Sequence, residues 1–169
     1  IEAHLLAGRM SLEEGRLDRS HYDMLCSEAR LASYLAIAKG DAEASHWFRL
    51  GRHATISAGK FTLLSWGGTM FEYLMPPLFQ KQYEGSLLRQ SCRVAVLRQQ
   101  EHGRQNNIPW GVSESAFGAL AINSDYHYRS FGVPGLGLKR GLAKDLVVSP
   151  YPWADHDTIG RSCETPRTH

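Results

Sequence analysis

The sequence predicts an all-α protein. Two stretches, residues 21–39 and 83–105, repeat apolar side chains at the interval of an amphipathic helix. Strand signals are few, and residues 61–64 are the clearest short extended piece. Glycine-rich connections separate the helical stretches and carry most of the residues suited to chemistry. Helices that each bury one apolar stripe pack against one another, so we expect one helical domain around one core.

The first half of the chain is predicted to contain two helices. Residues 1–19 are loosely helical, and Ser20 is placed to cap a helix over residues 21–39 that Gly40 ends. Asp41 is placed to cap a short helix that reaches about residue 50.

The middle of the chain contains a short helix between two breakers. The pair Gly67-Gly68 lets the backbone bend, and Pro76-Pro77 ends any helix that begins near Thr69. The helix over residues 83–105 is the longest, and Asn106-Asn107 closes it. Three of its arginines are predicted to form a solvated face: Arg89, Arg93 and Arg98.

Three glutamates stand beside aromatic, glycine or small side chains. Glu72 lies between Trp66 and Tyr73, Glu114 follows Trp110, and Glu28 lies on the inward side of the helix over residues 21–39. Taken alone, Glu72 is more simply the cap of a buried turn. Together, paired carboxylates beside aromatic rings suit sugar chemistry, because one acid protonates a leaving oxygen, another acts as base or nucleophile, and rings stack on pyranoses. Burial among small and apolar groups should raise the pKa of Glu28 unless a basic residue pairs with it.

Long motifs in a fixed order resemble the glucoamylase-like module of cyclic β-1,2-glucan synthases. They include Tyr22-Asp23, Ser27-Glu28-Ala29-Arg30, His46-Trp47-Phe48, Leu63-Leu64-Ser65-Trp66, Met70-Phe71-Glu72-Tyr73, Trp110-Gly111-Val112-Ser113-Glu114-Ser115 and Phe131-Gly132-Val133-Pro134-Gly135. The resemblance implies part of an (α/α)6 barrel. It divides the chain into an incomplete domain over residues 1–150 and a tail over residues 151–169 that we expect to be disordered or unrelated.

The resemblance also implies a function, namely the ring-closing transfer step of cyclic β-1,2-glucan synthesis. Such a transfer retains configuration and needs two carboxyl groups about 5–5.5 Å apart. Under this interpretation, Glu114 is assigned as the acid/base, with Ser113 and Ser115 as its orienting partners, and Glu28 is assigned as the nucleophile. Glu72 is a third acid that binds sugar hydroxyls or tunes the other two. The roles of the three acids can be exchanged. The predicted substrate-binding residues are Trp66, Tyr73, Trp110, Tyr22, Asp23, Tyr126, Tyr128 and Arg129.

Two other functions stay open. One is an endo-β-1,2-glucanase that uses water as acceptor, and the other is a non-catalytic glucan-binding or packing segment. The resemblance places glycosyltransferase and phosphorylase-like regions in the same parent protein, at a bacterial inner membrane. This chain shows no signal peptide and no apolar run of about 20 residues, and it does not begin with an initiator, so we expect a soluble piece of a longer protein.

Composition excludes several other classes. The 169 residues carry a formal net charge of +2 with scattered basic side chains, which does not indicate a nucleic-acid partner. Cys26, Cys92 and Cys163 share no short spacing, so neither a disulfide framework nor a zinc site is predicted. The histidines form no metal-binding pair on a helix face, and the glycines do not match a dinucleotide-binding loop, so no metal and no cofactor is expected.

Overall fold

The computed structural model describes residues 21–120, 126–128, 131–142 and 146–149, together with three short strands near the N-terminus. The helices are α1 (Ala29–Lys39), α2 (Ser45–Arg49), α3 (Met70–Leu74) and α4 (Leu87–Asn106), with a 3-10 turn over Pro76–Leu78. The strands are β1 (Leu6–Ala7), β2 (Met10–Ser11), β3 (Arg16–Leu17), β4 (His21–Tyr22), β5 (Ala54–Ser57), β6 (Lys60–Leu63), β7 (Ala116–Leu120) and β8 (Tyr126–Tyr128). The tail predicted over residues 151–169 lies outside the described residues.

The strands form four antiparallel pairs, which are β1 with β4, β2 with β3, β5 with β6, and β7 with β8. The prediction of an all-α protein and of a partial (α/α)6 barrel is therefore wrong, because the described part of the chain has a mixed α/β pattern without the paired helices of such a barrel. Helical periodicity was present where α1 and α4 form. The short strands lie in segments whose apolar runs are too short to show a period.

The hairpin of β5 and β6 was predicted in part, because residues 61–64 were expected to be extended and β6 covers Lys60–Leu63, whereas β5 and the pairing were not predicted. Its two-residue turn consists of Ala58 at φ 47° and Gly59 at φ 69°, so both residues are left-handed, as a type I′ turn requires. Alanine adopts positive φ rarely, so the pair gives a weak turn signal. Strand β6 then packs on α4, where the Leu63 N–H donates to Ser91 Oγ at 2.9 Å.

Helix α1 begins later than predicted. Residues before Ala29 leave the helical path because the Leu25 N–H donates to the carbonyl of Gly51 at 3.0 Å and Met24 forms a parallel bridge with Gly51. Ser20 therefore does not begin the helix, but Gly40 ends it as predicted, at φ 82°.

Helix α2 forms, but its predicted cap is wrong. No side chain caps its first turn, and Asp41 instead pairs with Lys39 at 2.6 Å. The short helix α3 is confirmed, and so is the long helix α4, although α4 begins at Leu87 and not at residue 83. Asn107 at φ 54° closes α4, as predicted. The predicted solvated arginine face of α4 is wrong at Arg89, which is buried and paired with Glu84.

The core lies between α3, α4, β6 and the segment over residues 131–138. Cys26 and Cys92 are buried free thiols within it, as predicted for small apolar side chains. None of the described helices combines the length and the apolar character needed to cross a membrane.

Segment 131–138 lies directly against Gly67 and Gly68. A Cβ on Gly68, whose φ is 75°, would lie 2.8 Å from Leu136 Cβ, and one on Gly132 would overlap the carbonyl oxygen of Gly67. Ser65 bridges Gly137 in parallel, with its N–H donating to the Leu136 carbonyl at 3.1 Å. Glycine is required here because two backbones meet without room for side chains.

Candidate functional site

Glu72 is the most fully bonded acid in the described part of the chain. It is 3% exposed, and its carboxylate accepts hydrogen bonds from the backbone N–H groups of Trp66, Gly67 and Thr69 at 2.8–3.1 Å. The hydroxyls of Ser65 and Thr69 donate to it at 3.0 and 3.1 Å. The Glu72 N–H in turn donates to Thr69 Oγ1, which completes a capping box at the start of α3. The loop over residues 65–69 is therefore wrapped around this carboxylate.

The loop over residues 110–115 is attached to the first turn of α3. The first N–H groups of a helix lack partners within it. In α3 the Met70 N–H donates to the Val112 carbonyl and the Phe71 N–H to Ser113 Oγ, each at 3.1 Å. The hydroxyl oxygen of Ser113, which was predicted to orient Glu114, therefore also caps α3. Glu114 comes next along the chain and is half-buried. Its loop is thus fixed relative to Glu72.

Glu28 immediately precedes α1 and has a different environment. It is half-buried, and its Oε2 is enclosed without a hydrogen-bond partner among the described residues. Burial is the main cause that raises its pKa, to about 7, and the negative charges of Glu72 and Glu114 raise it further. A hydrogen bond with its own backbone and the positive charge of Arg30 act in the opposite direction. The predicted rise in the pKa of Glu28 is therefore confirmed.

The three acids named from the sequence lie in one region of the structure. Glu72 and Glu114 are close enough to Glu28 for their charges to act on it, although 42 or more residues separate Glu114 from the other two along the chain. Carboxylates that interact in this way hold protons with different strengths. Such a group can supply an acid and a base at one pH.

Arg30 was missed as a member of this region. It is completely buried, and its guanidinium donates to Gln80 Oε1 at 3.1 Å and to the Leu25 carbonyl at 3.4 Å. Arg30 follows Glu28 by two residues, a spacing that places two side chains on different helix faces. Because Glu28 lies just before the helix, this spacing rule does not apply to it, and the charge of Arg30 lowers the pKa of Glu28. An arginine within an otherwise small and apolar stretch was the available signal.

The predicted substrate-binding residues have different positions. Trp66 is 43% exposed, whereas Trp110 is half-buried and packs against the core. Asp23 is half-buried, and its Oδ1 is enclosed without a partner within the described ranges. Tyr73 is completely buried, and its hydroxyl lies 2.9 Å from the carbonyl oxygens of both Leu63 and Leu136, to which it donates. Tyr73 is therefore a core residue in this structure, and its predicted contact with substrate stays a prediction that its burial does not support.

The remaining predicted residues cannot be placed at the level of side chains. Tyr22 belongs to β4, and Tyr126 and Tyr128 belong to β8, where the backbone alone is described. Arg129 lies outside the described residues. Within the part of the chain that the structure covers, histidine, cysteine and acidic side chains form no group of three that could hold a metal ion.

The fold and the site together define a protein segment with clustered, charge-coupled carboxylates next to an exposed indole, an arrangement suited to acid–base chemistry on a polar substrate. No protein-family profile matches the chain. Over 150 residues, or 89% of its length, the chain is 47% identical to the cyclic beta-(1,2)-glucan synthase NdvB of Rhizobium meliloti strain 1021. It spans about 5% of the length of that relative. This similarity supports the resemblance to cyclic β-1,2-glucan synthases, while the glucoamylase-like module stays a prediction.

Proposed function

We propose that this chain carries the acid groups of a β-1,2-glucan transglycosylase site within a larger protein that makes cyclic β-1,2-glucan. The observation that carries the proposal is Glu28, a partly enclosed carboxyl that lacks a hydrogen-bond partner for Oε2 in the described structure and is coupled by charge to Glu72 and Glu114. Groups with these properties concentrate at catalytic sites. The similarity to a cyclic beta-(1,2)-glucan synthase supports glucan as the substrate.

The reaction needs one protonated and one ionised carboxyl group. In a retaining transfer, the acid donates its proton to the glycosidic oxygen while the carboxylate attacks the anomeric carbon, which breaks the glycosidic bond and forms a glycosyl–enzyme ester. The first residue then removes a proton from a sugar hydroxyl as that hydroxyl displaces the ester, and the carboxylate is released. When the acceptor is the other end of the same chain, the product is a ring.

Glu114 and Glu28 are the proposed pair, with Glu114 as acid/base and Glu28 as nucleophile. Glu72 is proposed to act indirectly. Its oxygens already accept from five donor groups of the loop over residues 65–69, so it places Trp66 and adds negative charge near Glu28 without needing to touch the sugar.

The raised pKa of Glu28 provides a test of the order of the two roles. If Glu28 is the nucleophile, it must be ionised, and kcat for glucan transfer should rise with pH through about 7. If Glu28 is the acid, it must hold its proton, and kcat should fall over the same interval. Because the Glu114 charge raises the pKa of Glu28, Glu114→Gln should move any remaining pH dependence towards lower pH.

Trp66 is the proposed stacking surface for a glucose ring, since its indole is the exposed one of the two predicted tryptophans. Other regions of the parent protein, of glycosyltransferase and phosphorylase-like type, are proposed to supply and trim the linear glucan. An endo-β-1,2-glucanase is the second candidate, because the same pair of acids hydrolyses the bond when water is the acceptor.

The deciding experiment supplies linear β-1,2-glucan to the complete protein that contains this chain. We expect rings without a matching increase in reducing ends, and loss of the rings in Glu114→Gln. The matched control is Glu101→Gln, which removes a carboxylate paired with Arg98 on α4. Reducing ends without rings would identify the glucanase. Ring formation that survives Glu114→Gln unchanged would remove this site from the reaction.

A further inference from the structure

Gln99 connects α4 to both loops of the candidate site. It is completely buried, and its Nε2 donates to the carbonyl oxygens of Gly68 at 3.1 Å and Val112 at 2.9 Å. Its Oε1 accepts the Val112 N–H at 2.8 Å. The reverse orientation of the amide would put oxygen against two carbonyl oxygens, so the surroundings accept one orientation of this side chain.

The two loops that Gln99 joins carry the proposed working residues. Gly68 belongs to the loop over residues 65–69, which presents Trp66, and Val112 is two residues before Glu114. The same helix also sets the start of the second loop. A Cβ on Gly103 would lie 2.9 Å from the Ile108 carbonyl oxygen, so the chain turns back directly against α4.

We propose that Gln99 is a positioning residue that sets the separation between Trp66 and Glu114. A glucose ring held on Trp66 then meets Glu114 at the distance that proton transfer requires. The inference rests on the proposed function, because it concerns the distance between two residues of that same site. It adds a residue that neither touches the sugar nor carries a proton.

The bonds around Val112 distinguish positioning from a general contribution to stability. The Val112 carbonyl also accepts the Met70 N–H at 3.1 Å, so the loop over residues 110–115 keeps its attachment to α3 when Gln99 is replaced. A methionine at position 99 has about the same volume and fills the site, but it removes the hydrogen bonds that join Gly68 and Val112 to α4. The expected result is a folded protein in which Gln99 no longer holds the two loops at a fixed separation.

The test uses Gln99→Met and Gln99→Glu in the complete protein. The glutamate keeps the size and the acceptor but places oxygen where Nε2 donates. Gln90→Met is the matched control, since Gln90 is also on α4 and also donates to a backbone carbonyl, that of Phe61 at 2.6 Å on the hairpin strand β6. Transfer kinetics are measured per folded molecule, and hydrogen exchange is followed in peptides covering residues 65–72 and 110–115.

We expect both Gln99 variants to lower kcat by at least about tenfold while KM stays within about threefold, because misplaced groups lose rate more than binding. Exchange should accelerate in both loop peptides and not along α4. The control should change neither. Unchanged exchange in the loops, or a kcat equal to that of Gln90→Met, would overturn the proposal. If the unsubstituted protein does not act on β-1,2-glucan, the proposed function fails and the role of Gln99 in it falls, while accelerated loop exchange would still establish the mechanical coupling.

Discussion

Two glutamates in one region of this protein have opposite environments. Glu72 is surrounded by donors, and every hydrogen bond to it holds the loop over residues 65–69 in place. Glu28 is enclosed at the start of α1, and its Oε2 has no partner within the described residues. An enclosed anion that is fully bonded stabilises its surroundings, whereas one that lacks bonds costs stability and retains reactivity. Glu72 therefore stabilises the loop over residues 65–69, whereas Glu28 is the acid that we propose takes part in the reaction.

The largest expected difference is in turnover. Glu28→Gln in the complete protein should lower the rate of glucan transfer by about 10²–10⁴ or more, because it removes a group that must be charged or must exchange a proton. Glu72→Gln should lower the rate per folded molecule far less. Transfer assays corrected for folded protein measure both. Equal losses in the two variants would mean that Glu28 contributes no more to turnover than Glu72.

The second difference is in local stability. Glu72→Gln should lower the free energy of local unfolding around residues 65–74 by about 2–4 kcal/mol, since the neutral amide loses charge-assisted bonds and places an NH₂ group against N–H donors. Hydrogen exchange of peptides from this segment in the complete protein reports that free energy. Ser57→Ala on the hairpin strand β5 is a control outside the loop. Exchange that stays at its original rate would mean that Glu72 does not hold the loop.

Glu28 should show the reverse effect on stability, with a pH dependence. The pKa of folded Glu28, about 7, is above its ordinary value, so the protonated form is favoured on folding. The folded state therefore loses relative stability as pH rises from about 4.5 to 7. Glu28→Gln should raise the local free energy of unfolding by about 1–3 kcal/mol at pH 8 and change it little at pH 4.

Exchange of peptides at the start of α1, corrected for the intrinsic effect of pH on exchange, measures this gain. A variant that is equally destabilised at both pH values would indicate that Glu28 has a stabilising partner. Glu28 would then stabilise its surroundings, as Glu72 does.

The smallest expected effects concern Trp66 and Tyr73, two aromatic side chains on either side of Glu72 in the sequence. Trp66→Ala should weaken binding of a β-1,2-linked oligosaccharide by about 1 kcal/mol, because the exposed ring is available for stacking. Tyr73→Phe should leave that affinity unchanged and lower local stability by about 1 kcal/mol, because its hydroxyl donates to core carbonyls. Calorimetric titration and hydrogen exchange distinguish the two results. A loss of affinity in Tyr73→Phe would contradict its assignment to the core.

The short helix between Gly67-Gly68 and Pro76-Pro77 was predictable because each breaker acts within a few residues. The same holds for the ends of α1 and α4 at Gly40 and Asn107. The inward position of Glu28 was also predictable, although its helix begins later than expected. By contrast, Tyr73 was predicted to bind substrate, because the sequence of an aromatic residue beside an acid is the same whether the pair lies in a cleft or in a core.

The sequence alone determined the local breaks and the amphipathic helices. Those features depend on backbone preferences and on side chains a few residues apart. The tertiary structure alone decided that short strands pair between the helices, that the three acids lie in one region, and that Gln99 joins two loops. It also decided that Glu72 is fully bonded while Glu28 Oε2 has no partner within the described residues. These outcomes depend on contacts such as Gln99 with Gly68, 31 residues apart in the chain. Hydrogen bonds and desolvation act over a few ångströms in space, so a pattern along the chain does not determine which distant groups satisfy them.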